Sequence, residues 1–351
     1  MLTSLTALNA KEYFSSVIAA FECAVKATSD IRRYYRLGPG VLCLRYAGEA
    51  LVTPLSTAFS HLEIAPCLPS LMIHCWDSIS TETPMPPPPW PSTAYGARGH
   101  IIGYNDEVIR TVYQPGNDIL QMYNSIEHTG IYWMQHLHLL PYWEKSFPMR
   151  NLIHWWSKSQ PLQLVHAAAV GTNKGGVLLT GKSGSGKSTT ALTCLNSPLQ
   201  YAGDDYVMIS NKPDPFVYSL YNSAKLVFDK VGVLPYMEGK LSNPNALSGE
   251  KALFFLHQHY PKKLNTGFPI KAIFLPRVTN KSKTALRPAT AAEALFALAP
   301  TTVLHLEGDS KNAFDKMGHF VKSAATFWID LGSDLEEIPH VINEFLESSY
   351  D

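Results

Sequence analysis

The chain has 351 residues, 46% hydrophobic and 17% charged, and its 29 basic and 29 acidic side chains cancel to a formal net charge of zero. That length and apolar content suit two domains, and the balanced charge argues against a nucleic-acid binder, whose surface is clearly basic. Five cysteines (Cys23, Cys43, Cys67, Cys75, Cys194) form no C-x-x-C pair, so neither a zinc ribbon nor a disulfide framework is expected, and no apolar run reaches the ~18 residues of a membrane span.

A reducing cytoplasm is therefore the expected setting, with no membrane association. The first residues also lack the basic stretch, apolar core and cleavage site of a secretion leader.

Residues 1–158 read as a β-rich α+β domain. Ser15–Ala27 places Phe21 and Val25 four apart, which predicts a short helix. Gly40–Ala47 alternates and stops at Gly48, as a strand does. Leu51–Leu62 sets Leu55, Phe59 and Leu62 on one side of a second helix, and Leu71–Trp76 is strand-like. Pro84–Pro91 must be extended, because proline fixes φ and lacks an N–H. It is either a stiff surface loop or a ligand for a proline-reading module. Val108–Trp133 predicts an antiparallel meander turning at Pro115–Asp118. His136 and His138 would share one strand face, but no carboxylate or cysteine completes a metal site. Phe147–Lys158 predicts an amphipathic helix joining the domains, with Leu152, Trp155 and Trp156 on it. Trp76, Trp90, Trp133, Tyr113, Tyr123 and Tyr132 either contact a peptide or fill this domain's own core.

Residues 159–351 alternate strands and helices, an α/β pattern. Leu162–Val170 and Gly176–Thr180 flank Gly171–Gly175 as a hairpin. Leu199–Ala202, Phe216–Leu220, Lys271–Leu275 and Thr326–Leu331 predict strands, and Thr284–Pro288 leads into the next helix. Ala289–Leu298, Lys311–Ala324 and Leu335–Leu346 predict helices.

The chemistry concentrates in Gly175–Leu195. A buried strand leads into Gly181–Ser188, GKSGSGKS, which matches the phosphate-binding pattern G-x-x-x-x-G-K-[ST]. Four fixed positions match by chance in roughly one chain in a hundred of this length. Gly181, Gly184 and Gly186 free the backbone, so that successive N–H groups turn inward as an anion nest. A helix starting near Lys187 adds its positive end. Lys182, Ser183, Ser185 and Thr189 complete the cradle, Lys187 supplies a mobile charge for the outer phosphates, and the Ser188 hydroxyl suits a magnesium ion.

Asp204 and Asp205 follow Leu199–Ala202. If that strand runs parallel to the loop's strand, the pair lies at its carboxyl end, where open α/β sheets bind ligands. One carboxylate can hold magnesium while the other accepts a proton. His166 sits in the strand before the hairpin, where it is either a core residue or a site residue. Lys225 and Arg277 lie near strand ends, as surface charges or as neutralisers of a transferring phosphoryl group.

His166 in LVHAAAV, the hairpin, GKSGSGKS and the pair in AGDDYVMI together resemble the HPr kinase/phosphorylase catalytic domain. The resemblance covers residues 160–350 and is greatest to HPr-kinase-like serine kinases, including those of peptide biosynthesis clusters. It implies a P-loop kinase fold like that of phosphoenolpyruvate carboxykinase, with ATP and Mg2+ as cofactors. It implies Asp204 as base, with His166 at the outer phosphate, and leaves Ser188 and Asp205 to hold magnesium. The family's downstream glutamate- and arginine-containing signature is missing, since no glutamate lies between Tyr206 and Tyr236. That departure speaks against HPr as the substrate and leaves the reverse phosphorylase reaction open.

The expected activity is ATP-dependent phosphorylation of a hydroxyl, on a serine of a peptide or protein chosen by the N-terminal domain. A small-molecule kinase for an amino acid or sugar alcohol stays open, as does a nucleotide-binding switch with slow hydrolysis. So does assembly as a homo-oligomer.

Overall fold

The computed structural model describes residues 8–306 and 310–349. The chain divides into two compact units, one formed by the chain through Thr57 with Glu63–Trp156, the other by Ala58–Leu62 with Ser157 onward. Among the described residues no helix is long and apolar enough to cross a membrane.

The first unit carries α1 (Ala10–Ala27), β1 (Asp30–Leu37), β2 (Gly40–Ala47), α2 (Val52–Ser56), β3 (Leu71–Asp77), α3 (Ser78–Thr81), β4 (Ile109–Gln114), β5 (Ile119–Asn124), β6 (Thr129–Met134), α4 (Tyr142–Ser146) and α5 (Arg150–Ser157). Its six strands form one sheet in the order β1-β2-β3-β6-β5-β4. The β4-β5-β6 meander is antiparallel, and β3 joins β2 and β6 in parallel.

α1 begins earlier than its apolar spacing predicted, because Asn9 and Glu12 cap each other's backbone N–H groups, both at 3.0 Å. Its Tyr13, Phe14, Val17 and Phe21 pack with Trp76, Trp90 and Trp133 in one core. Tyr123 and Tyr132 are also buried. These aromatics thus fill the unit's own interior. The Pro84–Pro91 run is a loop without regular structure, tied down where Tyr13 donates to the Pro86 carbonyl at 2.9 Å and Trp90 meets the Tyr13 ring.

The structure corrects several expectations. β1 was not anticipated, since its arginines and tyrosines obscure the alternation, as suits an edge strand. Leu51–Leu62 is α2 followed by a 3-10 turn, Thr57–Leu62. His136 and His138 lie at a 3-10 turn, with His136 accepting from the His138 N–H, not in a strand. α5 is buried along nearly its whole length, polar Asn151, His154 and Ser157 included, and is not amphipathic in its surroundings.

The second unit carries β7 (Gln163–Val165), β8 (Ala168–Thr172), β9 (Gly175–Leu179), α6 (Lys187–Thr193), β10 (Gln200–Gly203), β11 (Val207–Ser210), β12 (Phe216–Tyr218), β13 (Ser223–Leu226), β14 (Ala252–Phe255), β15 (Gly267–Val278), β16 (Ala285–Pro288), α7 (Ala291–His305), α8 (Ser310–Lys322), β17 (Ala325–Leu331) and α9 (Glu337–Ser348). The main sheet has nine strands in the order β10-β8-β9-β15-β12-β11-β7, with β17 also beside β15 and β16 beside β17. β15 is parallel to both β9 and β17. One core cluster joins the sheet to α6, α9 and the β13–β14 ribbon, and a second joins it to α7 and α8.

The LQLVHAAAV stretch is not one strand. It breaks at His166–Ala167, so that β7 pairs with β11 while β8 pairs with β9 and β10. β10 runs in the direction of β9, but β8 lies between them. The β13–β14 ribbon was not anticipated. α7 starts at a Thr290–Glu293 capping box and continues through Pro300, past the predicted end at Leu298.

Candidate active site

Buried β9 delivers the chain to Gly181, and α6 begins at Lys187. Between them the tip Lys182–Gly184 is exposed. Gly184 and Gly186 have φ of 79° and 108°, values that side chains resist. At Gly186 packing adds a second constraint, since a Cβ would lie 2.5 Å from the Leu331 side chain. Lys187 is buried and folds back, its ammonium donating to the carbonyls of Gly181 (2.7 Å) and Lys182 (3.2 Å). Burial lowers its pKa, Asp204 and Asp205 act to raise it, and Lys251 adds to the lowering.

The aspartates arrive on the end of β10. The register slips between Tyr201 and Gly203, a bulge that re-aims the residues after it. Asp205 is held at φ 62°, uncommon for a residue with a side chain. The Tyr206 N–H donates to the Asp204 carbonyl at 2.8 Å, closing the turn.

The two carboxylates have different surroundings. Asp205 accepts from Lys225 on β13 at 2.9 Å and meets His166 Nε2 at 3.3 Å. Burial opposes its charge, but Lys225 and then His166 outweigh it and hold its pKa well below the usual carboxylate range. Asp204 is 2% exposed, and neither of its oxygens has a hydrogen-bond partner of normal geometry among the described residues. Burial and the Asp205 charge raise its pKa to about 6, with the Ser188 hydroxyl and Lys187 acting against them. Thr180 and Ser185 add two further buried hydroxyls without partners among the described residues.

His166 sits in the break between β7 and β8. Its N–H donates to Thr302 Oγ1 of α7 at 3.0 Å, and its ring lies 5.5 Å from that of Tyr206. The fold thus gathers His166, Lys187, Ser188, Asp204, Asp205 and Lys225. Arg277 is engaged elsewhere: it pairs with Asp330 at 3.0 Å, and Arg287 shares that carboxylate at 3.1 Å. Thr302 was missed, as nothing local in the sequence marks it.

The arrangement can accept an anion at the loop and a proton at Asp204. It also fits a magnesium ion, which binds through one or two carboxylates plus phosphate oxygens. Asp204 offers buried oxygens, and the Ser188 hydroxyl interacts with that carboxyl. Among the described residues no group of three or more His, Cys, Asp or Glu side chains could hold a metal by itself.

No family model matches the chain, and no curated protein matches it. Among solved structures, the Hpr(Ser) kinase/phosphatase from Coxiella burnetii is similar over 54% of this chain and 99% of its own, with 11% identity and a TM-score of 0.31.

Proposed function

We propose that the protein is an ATP-dependent kinase transferring the γ-phosphoryl group to a hydroxyl, on a serine of a peptide or protein. The observation that carries this is Asp204: a deeply buried carboxylate, neither oxygen of which has a hydrogen-bond partner of normal geometry among the described residues, beside the lysine of a phosphate loop. Burying an unpaired carboxylate is expensive, and a base with a pKa near the working pH is the use that justifies it.

In this reading the loop amides and Lys187 hold the outer phosphates, Lys187 exchanging its loop carbonyls for phosphate oxygens. Ser188 and one oxygen of Asp204 would hold magnesium, which neutralises charge on the phosphates when bound. Asp205, with one contact on each oxygen from His166 and Lys225, is in this reading a fixed anion, and the place at the metal expected for it goes to Asp204. The acceptor O–H proton passes to Asp204 and its oxygen bonds to the γ-phosphorus. The bond to the bridging oxygen breaks, and its electron pair leaves with ADP. Positioning and electrostatics carry such a reaction. The serine acceptor rests on the sequence resemblance.

The test uses radiolabelled ATP with magnesium and pools of serine-containing peptides, free amino acids and sugar alcohols. Label should enter the peptide pools. Lys187→Ala should lose transfer by about 100-fold or more. Asp204→Asn should lose a similar factor while still binding ATP in a calorimeter. A wild-type protein that binds no ATP, or an Asp204→Asn protein with full transfer, ends this reading. Label entering only a small-molecule pool moves the acceptor to that class.

A further inference from the structure

Between β13 and β14 the chain makes a long excursion, and it returns to β14 at Lys251. The register pairs Lys225 with Leu253 and Leu226 with Ala252. Ala224, Leu226, Ala252 and Phe254 all enter one hydrophobic core, so this face of the ribbon is the inner one. Strand alternation then puts Lys225, Leu253 and Lys251 on the opposite face. Continued one residue past the end of the ladder, the register makes Lys225 and Lys251 diagonal neighbours, a spacing of roughly 7–8 Å. The Lys225 ammonium lies 2.9 Å from Asp205, so this face looks onto the aspartate pair.

The return is fixed. Asn243 donates its side-chain amide to the Lys251 carbonyl at 2.9 Å and accepts the Leu253 N–H at 2.7 Å. Lys187 answers to two loop carbonyls and Lys225 to Asp205. No hydrogen bond or ion pair of the Lys251 ammonium is present among the described residues. Yet Lys251 is near enough for its charge to add to burial in depressing Lys187. Two like charges brought together at an anion cradle are unfavourable until an anion arrives.

We propose that Lys251 is a further phosphate-binding residue, contacting the terminal phosphate of the bound nucleotide. It shares that group's charge with Lys187. This rests on reading the loop as an ATP site, and the experiment separates the two.

ATP and ADP affinities, with magnesium, are measured by calorimetry on the full chain. Lys251→Met should weaken ATP by about tenfold and ADP by less than about twofold, the loss of one charge-assisted hydrogen bond. Lys251→Gln should show the same split, Lys251→Arg should keep ATP within about threefold, and exposed Lys262→Met should change neither. Melting midpoints verify that the variants are folded. Equal losses for ATP and ADP, or no loss, in folded Lys251→Met and Lys251→Gln overturn the proposal while leaving the kinase reading. A wild-type protein that binds neither nucleotide removes that reading and this proposal with it.

Discussion

Each unit buries carboxylates, and Glu144 in the first and Asp204 in the second are treated in opposite ways. Glu144, on α4, is 6% exposed and both of its oxygens are occupied: Tyr132 OH donates at 3.2 Å and Gln114 Nε2 at 3.4 Å. Burial raises its pKa, and Arg150, Gln114 and Tyr132 act against that rise. Asp204 is as deeply buried, and among the described residues it is the buried carboxylate with neither oxygen in a hydrogen bond of normal geometry. A buried polar group that is satisfied specifies a structure. One left open, beside a loop of inward backbone and a lysine, is kept for something that arrives. The contrast separates structural from functional polarity without reference to any relative.

The largest effect should come from removing what keeps the open site tolerable. Lys225→Met leaves the half-buried Asp205 without its cation and facing Asp204. Breaking such a pair costs about 3 kcal/mol. The midpoint of urea unfolding should fall accordingly, with the slope unchanged. An unchanged midpoint would mean that Asp205 is not held by Lys225, and the account of the pair fails.

Asp204→Asn should move stability the other way, by roughly 1 kcal/mol, because a strained charge is removed where activity, not folding, required it. Linkage sets the sign. The folded pKa of Asp204, raised to about 6, exceeds the ordinary value near 4. Its stabilising protonation is complete below that ordinary value and is lost as pH rises through about 6. The wild type should therefore lose stability between roughly pH 4 and pH 7, a slope that Asp204→Asn lacks. Asp205, held low, contributes stability present above the ordinary carboxylate pKa and lost only as pH falls below it, so it does not blur this window. Parallel pH slopes in the two proteins would show that Asp204 is not the titrating group.

What was legible in the sequence was local. GKSGSGKS and the adjacent aspartates carry their chemistry within a few residues of chain, and strands such as Gly40–Ala47 carry their alternation. What was not legible depends on distant partners. Nothing in LVHAAAV announces that the chain breaks at His166, because the break is set by β7 leaving to pair with β11. Lys225 could be named as a candidate, but its partner Asp205 is fixed only by the β13–β14 ribbon. Ala58–Leu62 read as the end of a helix. It belongs to the second unit, where Asn222 donates to the Ala58 carbonyl at 2.9 Å and to Ser60 at 3.2 Å, and His257 meets Ser60 at 2.8 Å. That segment lies more than a hundred and fifty residues from its partners, beyond the reach of any periodicity.

The smallest effect tests the other half of the comparison. Glu144→Gln keeps the shape and one carbonyl oxygen, so Tyr132 OH retains an acceptor. The amide nitrogen faces Gln114, whose own side-chain amide can turn to present its oxygen. The charge lost is one that burial already disfavours, and the hydrogen bonds are largely replaced. The change in stability should stay within about 1 kcal/mol, and ATP affinity should not move. Thermal midpoints and nucleotide titrations on Glu144→Gln, run beside Asp204→Asn, check this directly. If Glu144→Gln altered nucleotide binding as much as a loop mutation does, occupancy of the oxygens would not be what distinguishes the two carboxylates. Glu144 would then have to be counted with the site and not with the scaffold.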